Sequence, residues 1–328
     1  MESHSGNSQL GEGKARDNGL DHSDIVCIGV TCIDHVSIVR RTADGWEECG
    51  VPLAQGGGLA ATAAVAAARV GGDVELWAVV GDDYHGQMVK TELIRQGVKV
   101  DQIQTVLDGR TPTAFIEVDA DTGERTIYYS PSRSVPPPED QVSFDLGRVR
   151  QAKCVLVTGM WTNLSTAAAR LARENGAKVV ADLASTREAL HELIAQVDAL
   201  IMPEFADVVL EAGNDFGRAL REMAALGPCM PVVTVGSKGS YYLADDRVYH
   251  CSAFKVRAVD TTGCGDSFHG AFAYSLSRGW DIHKSIRFSS AVAALKATKL
   301  GGRSGLPTLP EVTSFLEERA DEGRAIRV

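Results

Sequence analysis

The chain has neither a long apolar run nor a surplus of basic charge. No stretch of about 18 consecutive apolar residues occurs, so the sequence predicts no membrane span. Its formal net charge is −10 at pH 7, which argues against nucleic acid or an anionic membrane as the main partner. An anionic substrate stays compatible with this charge, because it needs only a local positive site.

Paired cysteines are missing as well. Seven cysteines, an odd number without C-x-x-C spacing, are typical of reduced thiols rather than of a disulfide framework. Residues 1–22 are polar and have no apolar signal-peptide centre, so we interpret them as a disordered leader. With 44% hydrophobic residues the chain can build a large core. These features predict a soluble cytoplasmic protein.

Two common nucleotide-binding signatures are also absent. No Walker A sequence occurs, so phosphates are not held by a P-loop. Three glycines open the alanine-rich stretch Gln55–Gly72, but a dinucleotide fingerprint would need a glycine where Ala61 stands. The stretch instead predicts a closely packed, buried helix that ends at Gly71 and Gly72. A nicotinamide-dependent oxidoreductase is therefore disfavoured.

The second half of the chain alternates strand-like and helix-like patterns, which predicts an α/β fold with a doubly wound, mostly parallel sheet flanked by helices. The expected strands are Cys154–Thr158, Lys178–Leu183, Ala199–Met202 and Pro231–Val235. The expected helices between them are Ser165–Asn175, Arg187–Val197 and Phe216–Leu226.

A second, smaller sheet is expected in the first half. Thr113–Ala120 and Glu124–Ser130 are β-rich runs joined by D-A-D-T-G, a hairpin signal. We expect residues of about 37–54 and 111–131 to form a β lid on one domain of residues 23–322, followed by a tail at 323–328. An exposed lid sheet often pairs with the lid of another copy, which suggests a homodimer through the β lid.

The stretch Val259–Phe272, V-D-T-T-G-C-G-D-S-F-H-G-A-F, concentrates the chemistry. Gly263 and Gly265 allow a tight turn just before an apolar helical pattern. The N–H groups and dipole of a helix N-terminus form an anion site. Asp266 carries a negative charge at that place, which indicates a proton-handling base beside a phosphate.

Two further strand ends are candidate ligand positions. Asp34 follows the short apolar run 24–30, where α/β proteins place ligands, although it could equally be a cap or turn former. The strand Pro231–Val235 runs into Gly236–Gly239, which is either a simple turn or a loop that lets a nucleotide approach the backbone.

Taken together, these segments resemble the ribokinase-like (PfkB) family of carbohydrate kinases from Ile25 to about Leu316. The likeness rests on Gly56–Gly71 and, more specifically, on Asp260–Phe272. It implies a ribokinase-like fold with a β lid, and transfer of the γ-phosphoryl group of ATP to a hydroxymethyl group of a small sugar. ATP and Mg²⁺ are the implied cofactors, since ATP arrives with Mg²⁺.

The resemblance also implies roles for residues that match the family motifs. Asp266 matches the catalytic base, and the anion hole matches Gly263, Cys264 and Gly265. Sugar binding is implied for Asp34, Gly57, Gly58 and Thr62. ATP binding is implied for Thr234, Gly236, Ser237 and Gly239. A monovalent cation, K⁺, is a family feature beside Asp260 and Thr262.

The chain departs from the family pattern at the metal and sugar positions. The usual Asn-x-x-Glu motif is absent from residues 202–207, where Glu204 or Asp207 could replace it. Thr62 stands where many members have asparagine. Within the family the chain most resembles the sulfofructose kinases, which share both departures. However, Trp46, Tyr129 and Met160 stand where that group has Lys, Asn and Arg. A neutral sugar or a differently bound acid is therefore favoured over sulfofructose.

The same pattern is compatible with two further functions. A nucleoside kinase of the same family and a non-catalytic sugar-binding protein would both keep much of it. Individual residues allow two roles as well. His269 is either a packing residue or a second base, and Trp161 lines either the sugar pocket or the core. Arg303 contacts nucleotide or caps a helix.

Overall fold

The computed structural model describes residues 22–42, 45–48, 51–227 and 230–328. The expected leader lies outside the described residues, apart from His22. The described part contains a large sheet of 11 strands and a small sheet of 5 strands.

The strands alternate with helices along most of the chain. In chain order the strands are β1 (Ile25–Ile28), β2 (Cys32–Thr42), β3 (Gly45–Glu48), β4 (Leu53–Gly57), β5 (Val74–Gly81), β6 (Val98–Lys99), β7 (Ile103–Val106), β8 (Thr113–Asp119), β9 (Arg125–Ser130), β10 (Cys154–Val157), β11 (Lys178–Asp182), β12 (Ala199–Pro203), β13 (Met230–Thr234), β14 (Ser240–Ala244), β15 (Arg247–Cys251) and β16 (Ala325–Arg327). The helices are α1 (Leu59–Arg69), α2 (Tyr84–Arg95), α3 (Thr162–Glu174), α4 (His191–Ile194), α5 (Asp207–Glu211), α6 (Phe216–Ala225), α7 (Cys264–Ser277), α8 (Ile282–Ala297) and α9 (Leu309–Glu318).

The large sheet is buried on both faces. Its order is β16-β15-β14-β13-β12-β11-β10-β1-β5-β6, and β7 also pairs with β5. Seven parallel pairings run from β13 to β6 and β7, whereas β14–β16 are antiparallel. Alternate residues of a strand face opposite sides, so Ile25 and Cys27 join one core cluster while Val26 and Ile28 join the other. The expected doubly wound, mostly parallel sheet is thus confirmed.

Helix α1 shows why so many alanines occur together. Every residue from Ala60 to Ala67 is buried, and the helix packs against α7, β1 and β5. Small side chains on every face let the neighbouring elements approach closely. The expected buried alanine-rich helix is confirmed.

One expected helix is much shorter than the sequence suggested. Of Arg187–Val197, only residues 188–190 form a 3₁₀ turn and α4 a single α-helical turn. Backbone bonds three residues apart, from Leu190 N–H to Arg187 and from Val197 N–H to Ile194, tighten both ends. The end of the chain also forms β16, which pairs with β15, rather than only a tail.

The small sheet has the order β3-β2-β8-β9, and β4 pairs with β2. Its hairpin β8–β9 lies where the sequence placed one. Val36, Ala114, Ile116 and Val118 form a separate small core on one face, with Leu300 packed against it. All of β9 is exposed. The sheet therefore stands beside the main body and contacts it through one face.

No helix among the described residues is long and apolar enough to cross a membrane. The five cysteines in the described ranges are free thiols: Cys27, Cys32, Cys154, Cys251 and Cys264. Burial raises the pKa of Cys27 to about 12, which makes it a poor nucleophile.

Candidate active site

The turn before α7 is built for close backbone approach. Gly263, the N-cap, has a left-handed φ of 74°, and a Cβ there would lie 2.7 Å from the carbonyl oxygen of Gly302. The Cys264 N–H donates to the carbonyl of Thr261 at 3.3 Å. A Cβ on Gly265 would meet nothing within 4 Å, so open space lies over this first turn. Apart from that of Cys264, the first N–H groups of α7 have no intrahelical partner and can face an anion.

Asp266 lies in that first turn, partly buried. Its pKa is raised to about 7, chiefly by burial and then by the negative charge of Asp182, while His269 acts in the opposite direction. Asp182 ends β11 at the carboxyl edge of the large sheet. A carboxyl with a pKa near neutrality can accept a proton at physiological pH.

His269 connects α7 to the strand ends. Its Nδ1 lies 2.7 Å from the carbonyl oxygen of Gly265 and its Nε2 lies 3.4 Å from Asp182 Oδ1. Nε2 is also 3.5 Å from the carbonyl oxygen of Ile201. Both ring nitrogens therefore face oxygen atoms, an arrangement that suits a hydrogen-bonding residue holding Asp182 rather than a second base.

Asp34 belongs to strand β2 of the small sheet, not to a turn or cap after β1. Its carboxylate is buried and accepts a hydrogen bond of 3.3 Å from Cys32 Sγ. Burial is the main cause that raises its pKa. Cys32 pairs with Gly57 of β4, and the Asp34 charge raises the pKa of Asp266. Asp34 and Asp266 thus lie close enough for their charges to interact.

Arg303 supports the glycine segment from behind. Its side chain is only 1% exposed and pairs with Glu92 of α2 at 3.3 Å. Nη2 donates to the carbonyl of Gly57 at 2.7 Å, and Nε approaches Thr62 Oγ1 at 3.4 Å. Glu92 also accepts a 2.5 Å bond from the N–H of Gly56. Arg303 therefore contacts Thr62 and supports the glycines Gly56 and Gly57 at the end of β4.

The Asp260 carboxylate, fully buried, fixes the loop before the turn. It accepts bonds of 2.7 Å from the N–H groups of Thr262 and Gly301. The ammonium of Lys296, itself fully buried, donates to the carbonyl oxygen of Asp260 at 2.8 Å. The hydroxyl of Thr262 is buried without a hydrogen-bond partner in the described part of the chain.

The candidate nucleotide loop follows β13. Thr234 is half-buried, and residues 236–238 form an exposed 3₁₀ turn. Gly236 and Gly239 both have positive φ, 55° and 100°. Because β11, β12 and β13 are parallel neighbours, this loop lies at the same sheet edge as Asp182.

The two candidate metal ligands, Asp207 and Glu204, differ in whether the carboxylate is already hydrogen-bonded to the protein. The Asp207 carboxylate accepts bonds from Ser185, Thr186 and Val208, which hold its pKa below the usual value although burial opposes this. It therefore fixes the start of α5. Glu204 is exposed, and its N–H donates to the carbonyl of Thr234 at 3.0 Å. No group of three or more His, Cys, Asp or Glu in the described ranges could hold a metal by itself.

The small sheet reaches the Asp266 turn through the β8–β9 hairpin. The N–H and hydroxyl of Thr261 both donate to the carbonyl of Gly123 at 3.2 Å. Arg125 Nη1 donates to Thr261 Oγ1 at 3.0 Å. The positive charge of Arg125 lowers the pKa of both Cys264 and Asp266. A cation of the small sheet therefore stands beside the turn before α7.

The positions considered for sulfonate recognition are not cationic. Tyr129 is half exposed and lies close enough to Cys32 for that thiol to affect its pKa. Met160 packs against a core cluster. Trp161 is buried, and its Nε1 donates to the carbonyl of Pro137 at 3.1 Å, so it belongs to the core. Trp46 lies in β3, and its side chain is outside the described part.

Sequence reasoning gave no role to Asp182, Lys296 or Arg125. Arg125 carried a signal, since it alternates with Ile127 and Tyr129 on one face of a strand. Asp182 ends a predicted strand and could have been found by the same strand-end rule as Asp34. Lys296 lies within a helix and carried no local signal.

A two-sheet fold with a glycine turn at the start of α7 is compatible with a carbohydrate kinase. The chain matches the pfkB family carbohydrate kinase model over residues 22–309, and it belongs to that family of phosphotransferases. It is 31% identical to a ribokinase of Haemophilus influenzae over 269 residues, which covers 80% of this chain and 87% of the relative. It is 30% identical to a probable fructokinase-3 of Arabidopsis thaliana over 322 residues, 90% of this chain and 92% of the relative.

Solved structures agree with the fold. A ribokinase from Thermotoga maritima superimposes with a TM-score of 0.74 at 26% identity, covering 90% of this chain and 99% of the other. The expected membership of the ribokinase-like family is confirmed.

Proposed function

We propose that the chain transfers the γ-phosphoryl group of ATP to a hydroxymethyl group of a small neutral sugar, with Asp266 as the base. The observation that carries the proposal is the position of Asp266 in the first turn of α7, with a pKa of about 7. A base there would take the hydroxyl proton as the sugar oxygen bonds to phosphorus. The bond from phosphorus to the bridging oxygen would break, releasing ADP.

The anion hole of this mechanism would be the turn Gly263–Gly265. Phosphoryl transfer depends mostly on positioning and on stabilisation of charge on the transferred group. The positive end of α7 and the N–H groups of its first turn supply such stabilisation. Arg125, which contacts Thr261 at 3.0 Å, would add a positive charge when the small sheet closes on the cleft.

The acceptor sugar would lie between the sheets, beside Asp34. A buried carboxylate accepts hydrogen bonds from sugar hydroxyls, and the backbone of Gly57 and Gly58 permits close approach. The buried cation nearby, Arg303, is already paired with Glu92. This end of the cleft therefore suits a neutral acceptor better than a sulfonate or an acid, which would need free donors.

The donor end would bind ATP along Thr234, Gly236, Ser237 and Gly239. An Arabidopsis thaliana ribokinase of similar fold was crystallised with ribose and ATP, and an Escherichia coli relative with ATP and Mg²⁺. Asp182 and Glu204, oxygen donors at the same sheet edge, fit Mg²⁺ held through its waters. Bound there, Mg²⁺ would offset charge on the phosphate oxygens.

Asp266→Asn tests the proposal. The amide keeps the size of the side chain but cannot accept the proton, so turnover should fall by about 10²-fold or more. ATP consumption should be measured with ribose, fructose, other small sugars, nucleosides and sulfofructose, and binding of an ATP analogue by thermal shift. Near-normal turnover in this variant would exclude Asp266 as the base. Preference for nucleosides or sulfofructose would reject the neutral sugar, and ligand binding without turnover in the unmodified protein would indicate a sugar-binding protein.

A further inference from the structure

Lys296 is a buried cation that the proposed mechanism does not use. It lies near the end of α8 and is fully buried. Its ammonium donates to the carbonyl oxygen of Asp260 at 2.8 Å. Burying a charge is costly unless compensating groups surround it, so a lysine in this position requires a specific reason.

The surroundings of Lys296 supply that compensation. The Asp260 carboxylate is fully buried and bonded to two backbone N–H groups. Burial, with a smaller contribution from Arg125, lowers the pKa of Lys296, and the negative charges of Asp260 and Asp266 oppose this. On α8, one turn before the lysine, the carbonyl of Ala293 lies 3.6 Å from Cys264 Sγ. Helix α8 therefore contacts the turn before α7 through Ala293, and Lys296 bonds the start of the same loop at Asp260.

The family resemblance placed a monovalent cation beside Asp260 and Thr262. The donors found here do not fit that ion well, because the Asp260 carbonyl is bonded to Lys296 and both carboxylate oxygens accept N–H groups. Two cations in contact with the same carbonyl would repel each other strongly in a buried site. Among the buried side chains described in this loop, the Thr262 hydroxyl lacks a hydrogen-bond partner.

We propose that the Lys296 ammonium is a built-in substitute for a monovalent cation at the Asp260–Thr262 loop. It positions the carbonyl and carboxylate of Asp260 and thereby the N–H groups of residues 263–265. The chain accordingly needs no added K⁺ for phosphoryl transfer. Lys296 is a positioning residue, since it acts through the loop and does not contact the transferred group. Of the two tests described below, only the kinetic one rests on the proposed kinase function.

The test compares the wild-type chain, Lys296→Met and the control Lys299→Met, whose lysine is exposed three residues further along. Melting temperature is measured in KCl, NH₄Cl and choline chloride at equal ionic strength. A ligand that binds only the folded state raises the melting temperature. We expect K⁺ and NH₄⁺ to raise it for Lys296→Met but not for the wild type or the control. A K⁺-specific rise in the wild type, or none in a folded Lys296→Met, would overturn the proposal.

The kinetic arm uses the same salts with the best sugar. Misplacing the turn should lower kcat of Lys296→Met by about ten- to a hundredfold, with a smaller change in KM, and K⁺ or NH₄⁺ should restore part of it. Wild-type kcat should be the same in KCl and choline chloride, and activation by K⁺ would contradict the proposal. If Lys296→Met does not fold, the wild-type salt comparison decides alone. Absence of any sugar turnover would reject the kinase proposal but leave the thermal result valid.

Discussion

The carboxylate of Asp34 occupies the space that a side chain on Gly57 would fill. A Cβ built on Gly57 would lie 2.2 Å from both carboxylate oxygens and from the carbon between them. The two residues lie on paired strands, since Cys32 is the partner of Gly57 and Asp34 the partner of Gln55. Glycine at position 57 is therefore a condition for the position of Asp34.

Gly57→Ala should impair sugar binding more than it impairs folding. The added methyl group must displace Asp34, so we expect KM for the sugar to rise by about tenfold or more, as for loss of a hydrogen bond to a charged group. The KM for ATP should change little. Gly217→Ala is the matched control, because a Cβ there meets its neighbours at ordinary distances, 3.4 Å or more. An unchanged sugar KM in Gly57→Ala would remove Asp34 from the acceptor site.

The pH dependence of turnover should follow Asp266. Its pKa is raised to about 7, and the base must be deprotonated to accept a proton. Turnover should therefore fall as the pH drops through about 7 and reach its plateau above it. Asp182→Asn removes the neighbouring negative charge that raises this pKa. We expect the midpoint of the kcat profile to move down by roughly one pH unit.

The control for this profile is Asp321→Asn, an exposed acid with a side chain that is 93% accessible. It should leave the midpoint unchanged. A midpoint that stays fixed in Asp182→Asn, or moves upward, would show that another group controls the acidic limb.

Sequence patterns identified the parts of this protein that depend on local residue order. The strand–helix alternation predicted the parallel sheet, and the glycines before Asp266 predicted the turn and helix start found there. The role of that turn as a phosphate site stays a prediction. Pairs distant in sequence were not predictable: Arg303 and Glu92 are 211 residues apart, and Lys296 and Asp260 are 36 apart. Their partners are set by tertiary packing. The prediction of a full helix over Arg187–Val197 was wrong for a similar reason. Packing and turn geometry outweighed the helical spacing of the residues there.

The Arg303–Glu92 pair should contribute strongly to stability. Arg303→Met leaves the Glu92 carboxylate without its partner beside Gly56 and Gly57. This should lower the free energy of unfolding by about 3 kcal/mol. Denaturant unfolding measures this change. The double variant Arg303→Met with Glu92→Leu should recover part of the loss, because both charges are then gone.

The exposed pair Arg218–Glu222 provides the comparison, with side chains 59% and 41% accessible. Arg218→Met should lower the free energy of unfolding far less than Arg303→Met does, because solvent screens this pair. Equal losses in Arg303→Met and Arg218→Met would mean that the buried pair is no more important than a surface one.

Arg125 should matter to turnover and little to stability. It is exposed on β9 and connects the small sheet to Thr261 beside the anion-binding turn. Removing its charge in Arg125→Gln should lower kcat by about ten- to a hundredfold, as for loss of a group that stabilises charge in the transition state. The pKa of Asp266 should rise, because Arg125 lowers it, so the acidic limb of the profile should move to higher pH. Arg40→Gln, an exposed arginine of the same sheet on β2, should leave both quantities unchanged. If Arg125→Gln keeps wild-type kcat and midpoint, the small sheet supplies no charge to the reaction and acts only as a cover for the sugar.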